Sequence, residues 1–348
     1  CISFDWFYQG VEDFKYITIR SIAIKLISIV CLFIFVRTQD DILPYAILTI
    51  AGTCGNNILN LIRIRKYVKL KISFLDCWKH TKGASVLFLG TIAVSLYTNL
   101  NSVMVGALGT MAAVAFFTTG NKLVQMLMTV LGAVTSSIIP RMAYLVGKGD
   151  EKEAIALQKK TLNLLLYVSI PMVFGIIALA HPLILLFGGK EFLPAVPVMQ
   201  ILSTLLVIIT LSGFLGNQIL IPMHKEKYGN YCVGGGAITN LTVNFILIPL
   251  FAEIGVAIAV VIAETVVTAM HFYFAHRYMK LKWMDFVPVK CILASILMFL
   301  VIVATYSNDF SPLYCFLWAI IGMIVYVVSL LGLKDQYFKE TILKLIKR

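Results

Sequence analysis

Charge is what this chain is short of. Lysine, arginine, aspartate and glutamate make up 13% of its 348 residues, against roughly 25% in a soluble domain. No polar stretch is long enough to fold as a separate soluble domain. Seven cysteines (Cys1, Cys31, Cys54, Cys77, Cys232, Cys291, Cys315) are scattered without a CxxC pair, so neither a disulfide framework nor a thiolate metal site is signalled. Five histidines are equally dispersed; His271 and His276 stand five apart, a poor spacing for metal ligands. No GxxxxGK[ST] loop is present to suggest ATP use. Acids are scarcer than bases, 17 against 29, for a net charge of +12. The excess does not point to nucleic acid, because the basic residues are confined to every second loop rather than gathered on one face. The chain opens at Cys1 without a basic leader and short apolar core, which reads as a start inside a longer protein and makes signal-peptide arguments moot.

Hydrophobic residues, by contrast, reach 60%. They fall into about ten stretches, at 18–36, 42–62, 83–104, 112–139, 160–180, 196–222, 229–250, 254–275, 287–306 and 312–333, each near the ~20 residues that a hydrocarbon core requires. In lipid every backbone polar group must be satisfied within the segment, so these are helices: an all-α, polytopic transmembrane bundle. The loops alternate in charge. One side carries Lys15; Arg63, Arg65, Lys66, Lys69, Lys71, Lys79 and Lys82; Arg141, Lys148, Lys152, Lys159 and Lys160; Lys225 and Lys227; Arg277, Lys280, Lys282 and Lys290; and the tail with Lys334, Lys339, Lys344, Lys347 and Arg348. The opposite loops hold Arg37 and Lys190. The positive-inside rule makes the rich side cytoplasmic, with both ends of this chain there. Segment 63–82 and the tail interleave lysines with aromatic and aliphatic residues and suit an interfacial position on anionic lipid. Pro44, Pro171, Pro222 and Pro249 fall within or at the edges of spans, where a missing N–H permits bending. Gly234-Gly235-Gly236 reads as a site of close helix approach.

An ionisable group at bilayer depth is costly, and three are found there. Lys122 lies in Thr118-Thr119-Gly120-Asn121-Lys122-Leu123-Val124-Gln125. Thr118, Asn121, Lys122 and Gln125 recur at three and four, which puts them on one polar stripe of an apolar helix. Such a stripe faces either water and a polar ligand, or an acid paired with the lysine inside the bundle. Lys25 is deeper than Arg20, which reaches the interface; Lys25 either snorkels or faces the same cavity. Glu264, mid-span, is either the counter-ion of a lysine or a proton-titrating group. Asn99, Asn101, Asn240 and Asn244 add uncharged partners. Lysines and amides with one acid suit an anionic, polar-headed substrate.

The opening Phe4-Asp5-Trp6-Phe7-Tyr8-Gln9-Gly10-Val11-Glu12-Asp13-Phe14-Lys15-Tyr16 resembles the DWFYQGxEDFxYI segment of Wzx-type polysaccharide flippases. These are the O-antigen and capsule repeat-unit transporters of the multidrug/oligosaccharidyl-lipid/polysaccharide exporter superfamily, which also holds the MATE drug exporters and the peptidoglycan-precursor flippases. Asn99–Gly106 is similar to the NxDxxMLG of the second lobe, and Lys122 with Pro140-Arg141 to an AxKL…PR pattern. The resemblance covers essentially the whole chain. It implies two six-helix lobes around a cavity plus two further helices, a MATE-like, fourteen-helix transporter. Asp5–Tyr16 then follows the fourth helix. Residues 1–62 become the remainder of the amino-terminal lobe, 63–82 a cytoplasmic linker, 83–275 the carboxy-terminal six-helix lobe, and 276–348 two extra helices and a basic tail.

The implied activity is alternating-access transfer of an undecaprenyl-pyrophosphate-linked oligosaccharide across the bacterial inner membrane, without catalysis. Lys122, Lys25, Asn121, Gln125 and Asn101 are the expected substrate-binding residues and Glu264 the expected ion-coupling residue. An H⁺ or Na⁺ gradient is the expected energy source, and no metal or other cofactor is expected. Implied partners are the lipid-linked oligosaccharide, the bilayer, and a polysaccharide polymerase with its chain-length machinery, with the protein itself a monomer. Asn101 departs from the family, where many relatives have aspartate, and this puts ion coupling there in doubt. The rival functions are a MATE-like drug antiporter, which would favour deep acids, and a membrane-embedded polymerase or acyltransferase, for which the outer loops are short.

Overall fold

The computed structural model describes residues 4, 7–8, 11, 13–38, 41–65, 67, 99–223, 225–278, 288–305, 314–335 and 337–338. Among these the chain is helical, with no strand. It divides into two compact units, Cys1–Leu89 and Gly90–Arg348.

The first unit holds α1 (Phe14–Phe35) and α2 (Ile42–Ile64). Asp13 caps α1, its Oδ1 accepting from the Tyr16 N–H at 3.3 Å. Asp41 organises the turn between the helices: its Oδ2 accepts from the N–H groups of Arg37 and Thr38, both at 2.9 Å, and from the Thr38 hydroxyl at 3.0 Å. The Arg37 and Thr38 amides hold this carboxyl below the usual range. Gly52 lets the helices touch, since a Cβ there would lie 2.7 Å from the Ser28 hydroxyl oxygen. Ile19, Leu26, Phe33, Ile50 and Ile62 stay exposed along the outer faces, as hydrocarbon solvent permits.

A polar clamp closes one end of this pair. Arg20 is 5% exposed; its Nε donates to Asn56 Oδ1 at 3.1 Å and its Nη1 to Asn60 Oδ1. Tyr8 is fully buried and donates to the Asn60 carbonyl at 3.0 Å. Arg63 pairs with Asp13 at 2.8 Å and lies 3.8 Å from the centre of the Tyr16 ring. The rings of Phe7, Tyr8, Tyr16 and Tyr67 pack around them. The sequence places Arg20 within reach of the interface, and the Asn56/Asn60 pair, one turn apart on α2, buries it between the two helices.

The second unit runs through residues 99–108 (α3), α4 (Met111–Lys148), α5 (Glu151–Gly188), a 3₁₀ turn Lys190–Phe192, α6 (Ala195–Ser203), α7 (Leu205–Leu215) ending in a π turn Gly216–Leu220, α8 (Glu226–Ala275), α9 (Val289–Thr305) and α10 (Cys315–Gly332). Seven described helices in the chain are long and apolar enough to cross a membrane. One of them, α8, turns back on itself: Ala252 has φ 46° and ψ −121°, giving two arms, 226–251 and 253–275, where the sequence predicts two spans. Residues 99–108 are the described end of the span expected at 83–104, and most of segment 63–82 lies outside the described residues.

Tight turns follow from their residues. Gly149 at φ 75° ends α4 in the left-handed region, and Asp150 caps α5, accepting from the Glu153 N–H at 3.2 Å. Glu151 and Glu153 then face the positive end of the α5 dipole. Pro171 and Pro182 both lie inside α5, and each leaves a carbonyl one turn back without its helical donor. For Pro171 that carbonyl belongs to Tyr167, and the Tyr326 hydroxyl of α10 donates to it at 2.9 Å. In the turn that Pro182 opens, Gln200 of α6 donates to the Ile177 carbonyl at 3.0 Å. We therefore expect Tyr326→Phe to cost about 1–2 kcal/mol by leaving the Tyr167 carbonyl unpaired. Thermal unfolding of the detergent-purified chain reads this as a lowered midpoint; an unchanged midpoint refutes the role.

Of the glycine triplet, Gly234 meets nothing within 4 Å, while Gly235 lies against Met270. Close approach is therefore found at Gly235 and not at Gly234.

Candidate functional site

α4 presents two unlike faces. Ala113, Phe117, Gly120, Val124 and Leu131 are buried, and a Cβ on Gly120 would lie 3.1 Å from Val198 and 3.2 Å from the Met199 nitrogen of α6. The missing side chain lets the two backbones come together, a common device where lipid supplies no hydrophobic drive between helices. Two residues on, half a turn round the helix, Lys122 points away from this contact and is exposed, as are Gln125, Met126, Thr129 and Val130. Thr118 and Asn121 are half-buried beside it.

The polar stripe is therefore Thr118, Lys122, Gln125 and Thr129, at intervals of four, three and four, half-buried at Thr118 and exposed at the other three. The Thr118 hydroxyl donates to the Val114 carbonyl at 2.8 Å, and the Thr129 hydroxyl to the Gln125 carbonyl at 3.0 Å. With their protons engaged, both hydroxyls turn lone pairs outward as acceptors. Thr129 was not among the expected residues. Its signal is the continued spacing, masked by threonine's middling hydropathy. Lys122 stands near the middle of the 25-residue apolar segment Met111–Thr135. Its ammonium makes no ion pair or hydrogen bond among the described residues, so the paired-acid arrangement is not formed there. The stripe offers a cation, an amide and two hydroxyl acceptors, a set that recognises an anion attached to a polyol.

Asn101 is engaged elsewhere. Asn244 of α8 is fully buried and donates to Asn101 Oδ1 at 2.8 Å and to Asn240 Oδ1 at 3.0 Å. Asn240 Nδ2 and Asn244 Oδ1 remain buried without a partner. The cluster thus keeps one free acceptor, Asn244 Oδ1, and one free donor, Asn240 Nδ2, and its amides cannot take up a proton.

Glu264 is half-buried on the second arm of α8, and its carbonyl accepts from Thr268 at 2.8 Å. Thr268 also donates to the Ile208 carbonyl at 3.1 Å, and His271 Nδ1 lies 2.9 Å from the Ser212 hydroxyl. Glu264, Thr268 and His271, at four and three, thus share one stripe, and the last two face α7. His271 is bonded to serine, and no group of three or more metal-ligating side chains occurs among the described residues.

Lys25 belongs to the first unit and is exposed on α1. Of the opening motif, Asp5, Trp6, Gln9 and Gly10 lie outside the described residues, as does the Pro140 side chain; Phe7 and Tyr8 belong to the clamp around Arg20. Arg141 is exposed, 3.5 Å from Glu153 and above the Tyr144 ring, a surface pair of small energetic weight.

Residues 2–146 match a family described as polysaccharide biosynthesis protein, and residues 87–246 match the MatE family. The chain is 28% identical over 288 residues to a "Putative O-antigen transporter" of Escherichia coli K12, covering 78% of this chain and 66% of that protein. It is 22% identical to a "Probable low-salt glycan biosynthesis flippase" of Haloferax volcanii, over 74% of this chain and 54% of that one. The chain thus spans just under two thirds of the first relative and about half of the second. Among solved structures, the lipid II flippase MurJ in an inward closed conformation superposes with a TM-score of 0.71 at 17% identity, over 90% of this chain and 66% of that one. The MurJ likeness shows a shared fold. The two family matches together run from residue 2 to residue 246, and with the relatives named for O-antigen and glycan transport they make the chain similar to polysaccharide-transport proteins over most of its length.

Proposed function

We propose that this multi-pass membrane protein moves a lipid-linked oligosaccharide, with undecaprenyl pyrophosphate as the lipid carrier, from the inner to the outer leaflet of a bacterial cytoplasmic membrane. One observation carries the reading. Lys122 sits at mid-span, exposed, without a counter-ion among the described residues, in a stripe of neutral hydrogen-bonding groups. A lysine facing acyl chains at that depth costs at least about 3 kcal/mol, so the face that carries it borders water. In such a cavity the ammonium attracts the pyrophosphate or acidic sugars, while Gln125, Asn121 and the hydroxyls of Thr118 and Thr129 exchange hydrogen bonds with the glycan. The polyprenyl tail stays in the bilayer, so only the head group needs shielding. A deep cation also disfavours cationic drugs as cargo. The basic loops and the carboxyl end lie in the cytoplasm on this reading, and an H⁺ or Na⁺ gradient drives the cycle.

The test is complementation in cells that lack their own repeat-unit transporter. At equal expression, Lys122→Ala lowers surface polysaccharide about tenfold or more, the loss of a charge-assisted contact, and Lys122→Arg retains most of it. Wild-type polysaccharide from Lys122→Ala ends the proposal.

A further inference from the structure

Where α8 begins and ends, Tyr228, Tyr273, Phe274, Arg277 and Tyr278 line a cleft of about 90 Å³. Tyr228 of the first arm stacks on Phe274 of the second, with ring centres 4.6 Å apart and planes 13° from parallel. Tyr273 meets Phe274 edge-on at 5.3 Å. The rings make a wall that spans both arms. Lys225 brings its ammonium to 5.7 Å from the centre of the Tyr278 ring, and Arg277 lines the cleft itself while remaining exposed.

Neither cation forms an ion pair among the described residues. Arg277 lines the cleft and Lys225 lies against the Tyr278 ring that also lines it, so an anion seated there is attracted by both charges. An interfacial aromatic belt accounts for scattered tyrosines. It does not account for an arginine in the cleft together with a lysine against one of the rings that line it.

Position identifies the anion. The cleft lies at the ends of two membrane-crossing arms, on the side whose loops carry the lysines and arginines, hence at headgroup depth. Tyr231, Val233 and Ile238, further along the first arm, are exposed large apolar residues, a surface suited to hydrocarbon. A ligand that satisfies both zones has an anionic head and an apolar tail.

We propose that this cleft binds the phosphate headgroup of an anionic phospholipid of the surrounding leaflet. Arg277 takes the phosphate oxygens in its planar fork, Lys225 supplies the second charge, and the ring wall packs against the glycerol. The site is separate from the transport reading and stands without it.

The experiment follows the thermal midpoint of the detergent-purified 348-residue chain during titration with dioleoyl-phosphatidylglycerol, dioleoyl-phosphatidylcholine or inorganic phosphate. Phosphatidylglycerol raises the midpoint saturably and the other two do not. Combining Arg277→Gln with Lys225→Gln weakens the apparent Kd for phosphatidylglycerol about tenfold. Both residues are solvent-accessible, and the lipid-free midpoint shows that the fold is retained. Combining Lys148→Gln with Lys152→Gln, which removes as much charge from the exposed α4–α5 turn, leaves the Kd unchanged. The proposal is overturned if the cleft pair has no effect, if both pairs weaken binding equally, or if inorganic phosphate matches the lipid.

Discussion

Gly255→Ala destabilises the chain by at least about 3 kcal/mol, the upper range for forcing atoms into a packed site. A Cβ at residue 255 would lie 2.2 Å from the Leu247 carbonyl oxygen, 2.6 Å from its carbon and 3.0 Å from the Ile248 nitrogen. In a continuous helix residues 247 and 255 are roughly 12 Å apart, so this contact exists because the two arms of α8 fold sharply back on each other at Ala252. All three obstructing atoms are backbone, and none can swing aside as a side-chain tip would. Pro249 adds rigidity by fixing its own φ just before the turn. The internal control is Gly234→Ala, where the new methyl meets nothing within 4 Å and helix propensity gains about 0.5–1 kcal/mol. Thermal unfolding in detergent separates them: Gly255→Ala falls well below wild type and Gly234→Ala does not. Equal midpoints would show that the reversal is not built on Gly255.

Arg20→Met costs about 3 kcal/mol or more, from hydrogen bonds to a charged group worth about 1.5–3 kcal/mol each. The methionine fills much of the stem's volume but gives Asn56 Oδ1 and Asn60 Oδ1 no donor in a site that is 5% exposed. Tyr8 and Arg63 then lose the neighbours that hold this end of α1 against α2. Arg20→Lys restores one donor and recovers part of the loss, because an ammonium cannot span both amides as the guanidinium does. Proteolysis or unfolding of the purified variants reads the order wild type, Lys, Met. A methionine variant as stable as wild type would mean that the clamp contributes nothing.

Span positions were legible because length and hydropathy are local properties and lipid forces each apolar stretch into a helix. Even the break in α8 is foreshadowed, with Pro249 and Gly255 flanking the short segment between two predicted spans. The stripe on α4 was legible for the same reason: Thr118, Lys122 and Gln125 need only the helical period to share a face. Arg20 was not. Its depth in sequence resembles that of an interfacial residue, and only Asn56 and Asn60, 36 and 40 residues away, explain its burial. The Asn101–Asn244 contact spans 143 residues and has no local signature at all. Tertiary partners decided both.

Water at Lys122 is the central claim, and thiol accessibility tests it most directly. In a background with the seven native cysteines replaced by alanine, Lys122→Cys, Gln125→Cys and Val328→Cys are treated with a charged methanethiosulfonate that does not enter hydrocarbon. Val328 is 60% exposed on the apolar α10 and serves as the lipid-facing reference. The account predicts rapid modification at 122 and 125 and none at 328. If position 122 proves as inert as position 328, Lys122 faces acyl chains and the account is contradicted.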